Sequence, residues 1–327
     1  MAGISVSALC VFLAVRRADL QASWRALATV DLRWLLAAVL VYLSGFPIRS
    51  LRWRRILVNQ KVLSVGDVMV PVVVGHMANN LLPARAGEVY RAHVLGRRDY
   101  LSRSGAVGSI VVERTFDGVM LVGTVLLVFF LYPEAGFLRG AALFIGFVFA
   151  ALAAGILFYG FATAKMQRIV DRAVGLLPRR MQNVVALRLG LFLDGVRSVS
   201  TAGGYFKTGA YTVLIWALEA AAISLVIISF GIVLPVDGYL LVYALLTLGT
   251  ILPSGPGYIG PYQYAFVLAL SFFAVSKEEA LAVSVAAQAA LSGSITVIGL
   301  VVLWREWLRG APVLAGRKKL KSEKETV

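Results

Sequence analysis

The feature that most constrains this chain is a motif that occurs twice, once in each half. Residues 80–91 read NLLPARAGEVYR and residues 250–261 read TILPSGPGYIGP. Each copy contains Leu-Pro, three residues and then a glycine, and each interrupts a long apolar segment. In membrane proteins, Pro- and Gly-interrupted segments at corresponding positions of two halves point to a substrate site near the middle of the bilayer. The repeat therefore predicts two related halves that meet at such a site.

The composition is that of a membrane protein. Of the 327 residues, 59% are hydrophobic and 15% are charged, whereas a soluble domain usually has about 25% charged residues. Several apolar segments approach the ~20 residues that span a bilayer. We therefore expect an all-α, polytopic helical membrane protein that forms a single integral membrane domain over residues 1–327. We place membrane helices at 4–15, 34–49, 65–82, 105–131, 137–161, 208–230, 239–252, 262–275 and 280–304.

Positive charge predicts the orientation. The formal net charge is +15, and no nucleic-acid-binding motif accompanies it, so we expect no nucleic-acid partner. Cytoplasmic loops of membrane proteins carry excess Lys and Arg. The chain has four such clusters, at 49–61, 91–103, 165–207 and 305–324. All four are expected on the cytoplasmic side of the cytoplasmic membrane, together with the C-terminus.

Two of these clusters flank the segment 65–82, and one spanning helix would separate them. A re-entrant hairpin near 65–103 would keep both on the same side, and polar backbone at membrane depth is tolerated where protein buries it. The same reasoning predicts a second hairpin near 239–275 that opens to the other side. We therefore expect about six spanning helices and two oppositely oriented re-entrant hairpins in an inverted repeat. The first repeat is 34–161, the second is 208–304, and a basic connector (162–207) and a basic tail (305–327) complete the chain.

The segment between Arg16 and Arg33 does not fit this orientation. It would lie outside the cell, although its arginines favour the inside. Residues 17–32 have the pattern of an interfacial amphipathic helix. The side of the membrane on which this segment lies stays open.

The first interruption is polar and contains Asn79, Asn80, Arg85, Glu88 and Arg91. A charge at membrane depth costs about 2.5–3.5 kcal/mol on insertion scales, so such residues usually have a partner or a substrate. Glu88 and Arg91 are three residues apart, so they could pair on a helix. Arg85 beside exposed backbone amides suits a phosphate. The alternative is that these residues only cap the hairpin at the lipid–water boundary.

A second group of charges lies within apolar helices. Glu113 and Asp117 are four residues apart and share a helix face, and Arg114 can pair with Asp117. Glu219 is a lone acid at helix depth, suited to pairing with an arginine or to carrying a proton. Direct substrate contact and a structural ion-pair network are both open for these residues. With Glu88, they form a candidate proton or ion path.

The second interruption has no charge. Its amides and hydroxyls could hold an anionic headgroup, and the candidate residues are Ser254, Gly255, Gly257, Tyr258, Gly260, Tyr262 and Gln263. The alternative is a glycine hinge that allows close packing.

The chain lacks the usual signatures of catalysis and of metal binding. Cys10 is the only cysteine, and His76 and His93 are the only histidines, so no Cys/His ligand cluster can form. A P-loop, a Rossmann fingerprint and a nucleophile elbow are also missing. We therefore predict no catalytic residue, metal or cofactor. Whether the protein is an enzyme stays open, with a transporter favoured.

Three stretches resemble one family. Residues 80–91, residues 113–117 (ERTFD) and residues 253–260 (PSGPGYIG) resemble the lysylphosphatidylglycerol synthase transmembrane-region family of flippase-like membrane proteins. The resemblance implies a region that moves lipid headgroups between leaflets. It also implies a stand-alone member without the soluble synthase domain, with a lipid-synthesising enzyme as a possible partner.

One position departs from the family pattern, because Gln263 stands where an acidic residue is common. This favours an anionic lipid, a phospholipid or an isoprenoid phosphate, over an aminoacylated one. The expected function is therefore translocation of a phosphate-bearing lipid by Arg85, Arg91 and Arg114, with Asn80 and Glu88 orienting them. The alternatives are a membrane-embedded transferase acting on a lipid-linked glycan, aminoacyl or hopanoid substrate, and a partner subunit that does not transport. The sequence leaves the oligomeric state open.

Overall fold

The protein is helical throughout the part of the chain that the structure describes. The computed structural model describes residues 2–58, 60–82, 86–97, 102–133, 139–161, 172, 179–196, 201–252 and 254–308, and no strand occurs among them. The helices are α1 (Ala2–Val15), α2 (Leu20–Ala28), α3 (Leu32–Leu57), α4 (Val65–Leu81), α5 (Ala86–Arg97), α6 (Arg103–Leu131), α7 (Arg139–Phe161), α8 (Arg179–Val196), α9 (Ala202–Ile228), α10 (Val236–Ile251), α11 (Pro261–Ser271), α12 (Lys277–Ala287) and α13 (Gly293–Leu308). A π turn (Gln288–Ser292) joins α12 to α13, and a 3₁₀ turn (Pro256–Tyr258) lies between α10 and α11.

Four helices are long and apolar enough to cross a membrane. They are α3, α6, α9 and the continuous unit Lys277–Leu308, which correspond to four of the six predicted spans. The expected all-α polytopic membrane protein is thus confirmed. Of the other two predicted spans, α7 has 23 residues and α1 has 14. At 1.5 Å per residue α1 is about 21 Å long, shorter than the ~30 Å hydrocarbon core, so the count of six stays a prediction.

Side-chain caps fix where several helices begin. Asp31 caps α3 and Ser102 caps α6, each accepting a backbone N–H of the first turn. Capping boxes begin α4 (Ser64 with Asp67) and α12 (Ser276 with Glu279). Such caps satisfy amides that have no partner within the helix.

The long helices α3 and α9 are antiparallel and define two ends of the molecule. At one end the amide of Asp31 donates to the carbonyl of Ser229 (2.8 Å); towards the other, Arg52 Nη1 donates to Thr212 Oγ1 (3.1 Å). We call the end with the C-terminus of α3 and its Arg54 and Arg55 the basic end.

The segment between Arg16 and Arg33 lies at the end opposite to the basic end. Lys277 Nζ, at the start of α12, donates to the carbonyl oxygens of Leu13 (3.0 Å) and Arg16 (2.7 Å). Helix α2 packs on α12 while Trp24 stays exposed. A short amphipathic helix thus forms where it was predicted, and its interfacial role stays a prediction.

Two helical hairpins enter the bundle from opposite ends. Helices α4 and α5 pair near Gly75 and Gly87, where a Cβ on Gly87 would collide with the carbonyl oxygen of Gly75. Helices α10 and α11 pair near Gly249, and their connection turns through positive φ at Gly257 (68°) and Gly260 (103°), values that favour glycine. Residues 83–85 and residue 253 lie outside the described residues.

The hairpin tips meet inside the bundle. A Cβ on Gly257 would lie 3.3 Å from the carbonyl oxygen of Asn80. The predicted pair of opposed hairpins is therefore present as a packing arrangement. Their re-entrant position in a bilayer and the repeat boundaries stay predictions.

Candidate functional site

A cavity of about 280 Å³ lies where the two hairpin tips meet. Both polar and aromatic side chains line it, and they come from α3, α4, α5, α6, α7, α9, α10, α11, the 3₁₀ turn and the π turn. Several of the predicted site residues reach it, namely Asn80, Glu88, Arg91, Arg114, Asp117, Glu219, Gly257 and Tyr258. Arg85 lies outside the described residues.

Glu113 is the centre of a buried ion network beneath this cavity. It receives Arg52 Nη2 on Oε1 (2.9 Å) and Arg91 Nη2 on Oε2 (2.7 Å). The three side chains are 2%, 0% and 2% exposed. Buried charges of this kind require partners, so Glu113 holds α3 and α5 against α6.

Asp117 extends the network by one helical turn. Arg52 Nη1 donates to Asp117 Oδ1 (2.5 Å), so the predicted shared face of Glu113 and Asp117 is confirmed. Arg114 Nη1 lies 3.3 Å from Asp117 Oδ2, which confirms that predicted pair as well.

Arg114 is the most exposed arginine of this network, and it lines the cavity. Its side chain is 32% exposed, and it lies 3.1–3.4 Å from three carboxylates, those of Glu88, Glu113 and Asp117. The predicted pairing of Glu88 with Arg91 is different in the structure. Glu88 pairs with Arg114 (3.4 Å) and Arg91 with Glu113, because both side chains point towards α6. The guanidinium of Arg91 also lies 3.9 Å from the ring centre of Trp53.

Glu219 has the arginine partner that was expected, and this partner is Arg49. Tyr243 donates its hydroxyl to the other carboxylate oxygen of Glu219 (2.7 Å). The sequence predicts Arg49 and Arg52 as part of a basic cytoplasmic cluster. In the structure both side chains are instead buried and paired with carboxylates. The missed signal was their own spacing of three residues, which places both on one face of an otherwise apolar helix.

The charges around the cavity balance. Arg49, Arg52, Arg91 and Arg114 face Glu88, Glu113, Asp117 and Glu219. In the described part of the chain the site therefore has four cations and four anions. A bound anion must compete with a carboxylate for a guanidinium.

The second interruption is fastened by a chain of amides. Gln263 Nε2 donates to Gln288 Oε1 (2.5 Å), and Gln288 Nε2 donates to the carbonyl of Gly257 (2.5 Å). Gln263 Oε1 accepts the amide of Gly260 (2.7 Å). Gly257 and Tyr258 line the cavity, whereas Ser254 and Gln263 are not among its lining residues. Gln263 therefore holds the turn in place without lining the cavity.

The π turn anchors both hairpin tips. Its Gln288 holds the second tip, and the carbonyl oxygen of Ser292 accepts Asn80 Nδ2 of the first tip (3.1 Å). In a π turn the usual helical pairing is interrupted, and such turns are frequent at functional sites. A single segment therefore contacts both interruptions.

Several lining residues were not predicted from the sequence. They are Tyr42, His76, Trp216, Tyr243 and Gln288. Each lies in an apolar helix or in the π turn, where an aromatic or amide side chain is ordinarily read as packing. Among the described residues, no group of three or more His, Cys, Asp or Glu side chains could hold a metal ion.

Comparison with known proteins places the chain in one family. The family described as the lysylphosphatidylglycerol synthase TM region matches residues 1–299. The glycosyltransferase AglD of Haloferax volcanii is 25% identical over 91% of this chain, and the match spans 53%, about half, of that relative. UPF0104 membrane proteins of Methanothermobacter thermautotrophicus and Methanocaldococcus jannaschii are 24% and 23% identical, over 85% and 69% of this chain and 87% and 92% of their own lengths. No solved structure matches. The motifs, the all-helical membrane fold and the extent of the family match agree, and the chain belongs to the lysylphosphatidylglycerol synthase transmembrane-region family.

Proposed function

We propose that this protein is a lipid translocase that moves an anionic or phosphate-bearing headgroup between leaflets, through the cavity between the hairpin tips. The family and the glycosyltransferase relative support a membrane protein related to lipid or glycan transfer. The observation that carries the finer proposal is the position of Arg114. It is a partly exposed guanidinium in a polar cavity that both hairpins border.

Arg114 is suited to exchange partners. It shares three carboxylates, and its contact with Glu88 is the longest, at 3.4 Å. A guanidinium binds two phosphate oxygens at once, so a headgroup that reaches Arg114 displaces Glu88. Since Glu88 belongs to α5, this displacement loosens the first hairpin from α6. Phosphate binding is thereby coupled to hairpin movement.

The other arginines have supporting roles in this proposal. Arg91 is occupied by Glu113 and holds α5 against α6. Arg85, outside the described residues, is proposed as a second phosphate ligand. Of the proposed proton carriers, Glu88 and Glu219 are the more exposed, at 23% and 30%. Glu113 is held between two guanidiniums and is 2% exposed. A lipid-synthesising enzyme is the proposed partner.

The test is translocation of a fluorescent phosphatidylglycerol in proteoliposomes, read as quenching by an impermeant reductant. Wild-type protein should expose the inner-leaflet pool to the reductant. Arg114→Gln should slow this exposure at least tenfold, because its charge-assisted contacts to phosphate are lost. Arg33→Gln is the control, since Arg33 is 94% exposed at the opposite end. Equal rates for the two variants would contradict the proposal.

A second pair of variants leaves every charge in place. Thr247 and Thr124 are both half-buried and donate to the carbonyl four residues earlier, at 2.8 and 2.9 Å, and Thr247 lines the cavity. Thr247→Phe should fill the cavity and stop translocation, whereas Thr124→Phe should leave it intact. Unimpaired translocation by the filled variant would place the path elsewhere.

A membrane-embedded transferase is the second candidate, and the glycosyltransferase name of one relative favours it. Asp117 and Glu88 border the cavity and would be the groups near a lipid-linked donor. Purified protein incubated with a lipid-linked sugar donor and an acceptor lipid decides the matter. A transferred product would favour the transferase, and unchanged donor leaves the translocase as the better account.

A further inference from the structure

The cavity has two chemically different sides. Arg114 lies on one side, while the side formed by α3, α9, α10 and α11 is aromatic. There Tyr42, Trp216, Tyr243 and Tyr262 accompany the carboxylate of Glu219. The rings of Trp216 and Tyr243 are packed edge to face, with centroids 5.4 Å apart. We call Tyr42, Trp216, Tyr243, Tyr262 and Glu219 the aromatic wall.

Glu219 offers hydrogen-bond acceptors without an uncompensated charge. Arg49 pairs with Oε1 and Tyr243 donates to Oε2, and the side chain is still 30% exposed. An ionised carboxylate has about four lone-pair sites, so two remain open after these contacts. A ligand ammonium would need an unpaired negative charge, whereas a neutral hydroxyl needs only the free lone pairs.

The aromatic wall also supplies hydroxyl groups. Tyr42 and Tyr262 line the cavity, and within the described part of the chain no hydrogen bond engages either hydroxyl. A phenol hydroxyl both donates and accepts. The wall therefore presents the half-buried rings of Tyr42 and Tyr262, their two hydroxyls, and the Glu219 carboxylate that pairs with Arg49.

We propose that this wall is a sugar subsite. A sugar ring has an apolar face of C–H groups, which packs on aromatic rings, and an edge of hydroxyls, which donate to carboxylates and exchange hydrogen bonds with tyrosines. The volume of about 280 Å³ is just below the ~300–1,000 Å³ typical of ligand pockets. A single sugar ring with its phosphate is the headgroup that we assign to this space.

This assignment rests on the proposed function, because it uses the same cavity and gives its substrate a chemical class. The phosphate lies at Arg114 and the sugar lies against Tyr42, Tyr262 and Glu219. The ligand is then a lipid phosphate that carries a single sugar. A headgroup without hydroxyls would leave the polar groups of the wall without partners, which lowers its affinity.

Native mass spectrometry of the purified protein in a detergent without sugar tests this. Glucosyl polyprenyl phosphate and polyprenyl phosphate of equal chain length are added in equal amounts. We expect the glucosylated lipid to be retained about tenfold more, as a few neutral hydrogen bonds would give. Tyr42→Phe with Tyr262→Phe should remove the preference, since both rings stay and both hydroxyls go. Tyr264→Phe, also half-buried on α11 but away from the cavity lining, should keep it.

Two outcomes would overturn the sugar subsite. One is equal retention of both lipids by the wild type. The other is stronger retention of a lysyl phosphatidylglycerol, added as a third probe, which would indicate that the wall receives an ammonium group. If the protein retains the glucosylated lipid preferentially but translocates no lipid, the proposed function is rejected and the sugar subsite is not. Translocation without the preference would reject only the subsite.

Discussion

At the scale of single residues, Glu113 is the carboxylate that pairs with the most deeply buried arginines. One carboxylate serves two guanidiniums that are almost fully buried. Removing one partner of a buried ion pair is strongly destabilising, because the charge left behind has no solvent. The network therefore holds α3, α5 and α6 together, which supports the structural interpretation of the ERTFD stretch. Direct contact of these residues with substrate stays a proposal.

Because these ion pairs are buried, we predict that Glu113→Gln lowers the free energy of unfolding by about 3–5 kcal/mol. The variant leaves Arg52 and Arg91 with a neutral amide in place of a shared carboxylate. Glu88→Gln is the comparison, since Glu88 is partly exposed and has one long contact, and it should cost much less. The apparent melting temperature of each purified variant measures this, and similar shifts for both would contradict it.

Among these residues, only the contacts between near neighbours in sequence could be predicted. The spacing of Glu113, Arg114 and Asp117 predicted their shared face and one of their pairs. Arg49 and Arg52 were misplaced because the positive-inside rule treats neighbouring charges as one cluster. Their partners lie 61–170 residues away, so no local pattern joins them.

At the scale of elements, both hairpins are predicted by the clustered proline and glycine residues of the two interruptions. A lone proline does not suffice, because Pro47 lies within α3 and Pro71 within α4. The rest of the site has no such signature. The π turn at Gln288–Ser292 reads as ordinary helix, and the aromatic wall is assembled from separate helices. The contact of α1 with the second tip, through Ser7 and the amide of Gly255 (2.8 Å), is equally invisible in the sequence.

The first hairpin predicts a sharp glycine requirement. Gly87→Ala places a Cβ against the carbonyl oxygen of Gly75 and the side chain of Asn79, so α4 and α5 must separate. Amide hydrogen exchange of both helices should rise. Gly123→Ala is the matched control, because nothing lies within 4 Å of its Cβ and alanine favours a helix. Equal exchange in the two variants would mean that the close contact is not required.

At the scale of the whole molecule, the two ends should face opposite sides of the membrane. Val62 lies at the basic end and Val233 follows α9 at the other, and both are exposed. In a Cys10→Ala background, an impermeant thiol reagent added outside intact cells should label Val233→Cys and spare Val62→Cys. Lysis should expose both. Labelling of Val62→Cys in intact cells would reverse the predicted orientation.

The buried ion pairs also have a consequence for how the protein is made. Arg49 is synthesised 170 residues before Glu219, and at about 5–20 residues per second roughly 9–34 s separate them. During that interval α3 carries two arginines that lipid penalises by about 2.5–3.5 kcal/mol each. We therefore expect α3 to stay at the insertion machinery until α6 and α9 have been translated, so that its release into the bilayer follows the synthesis of its partners.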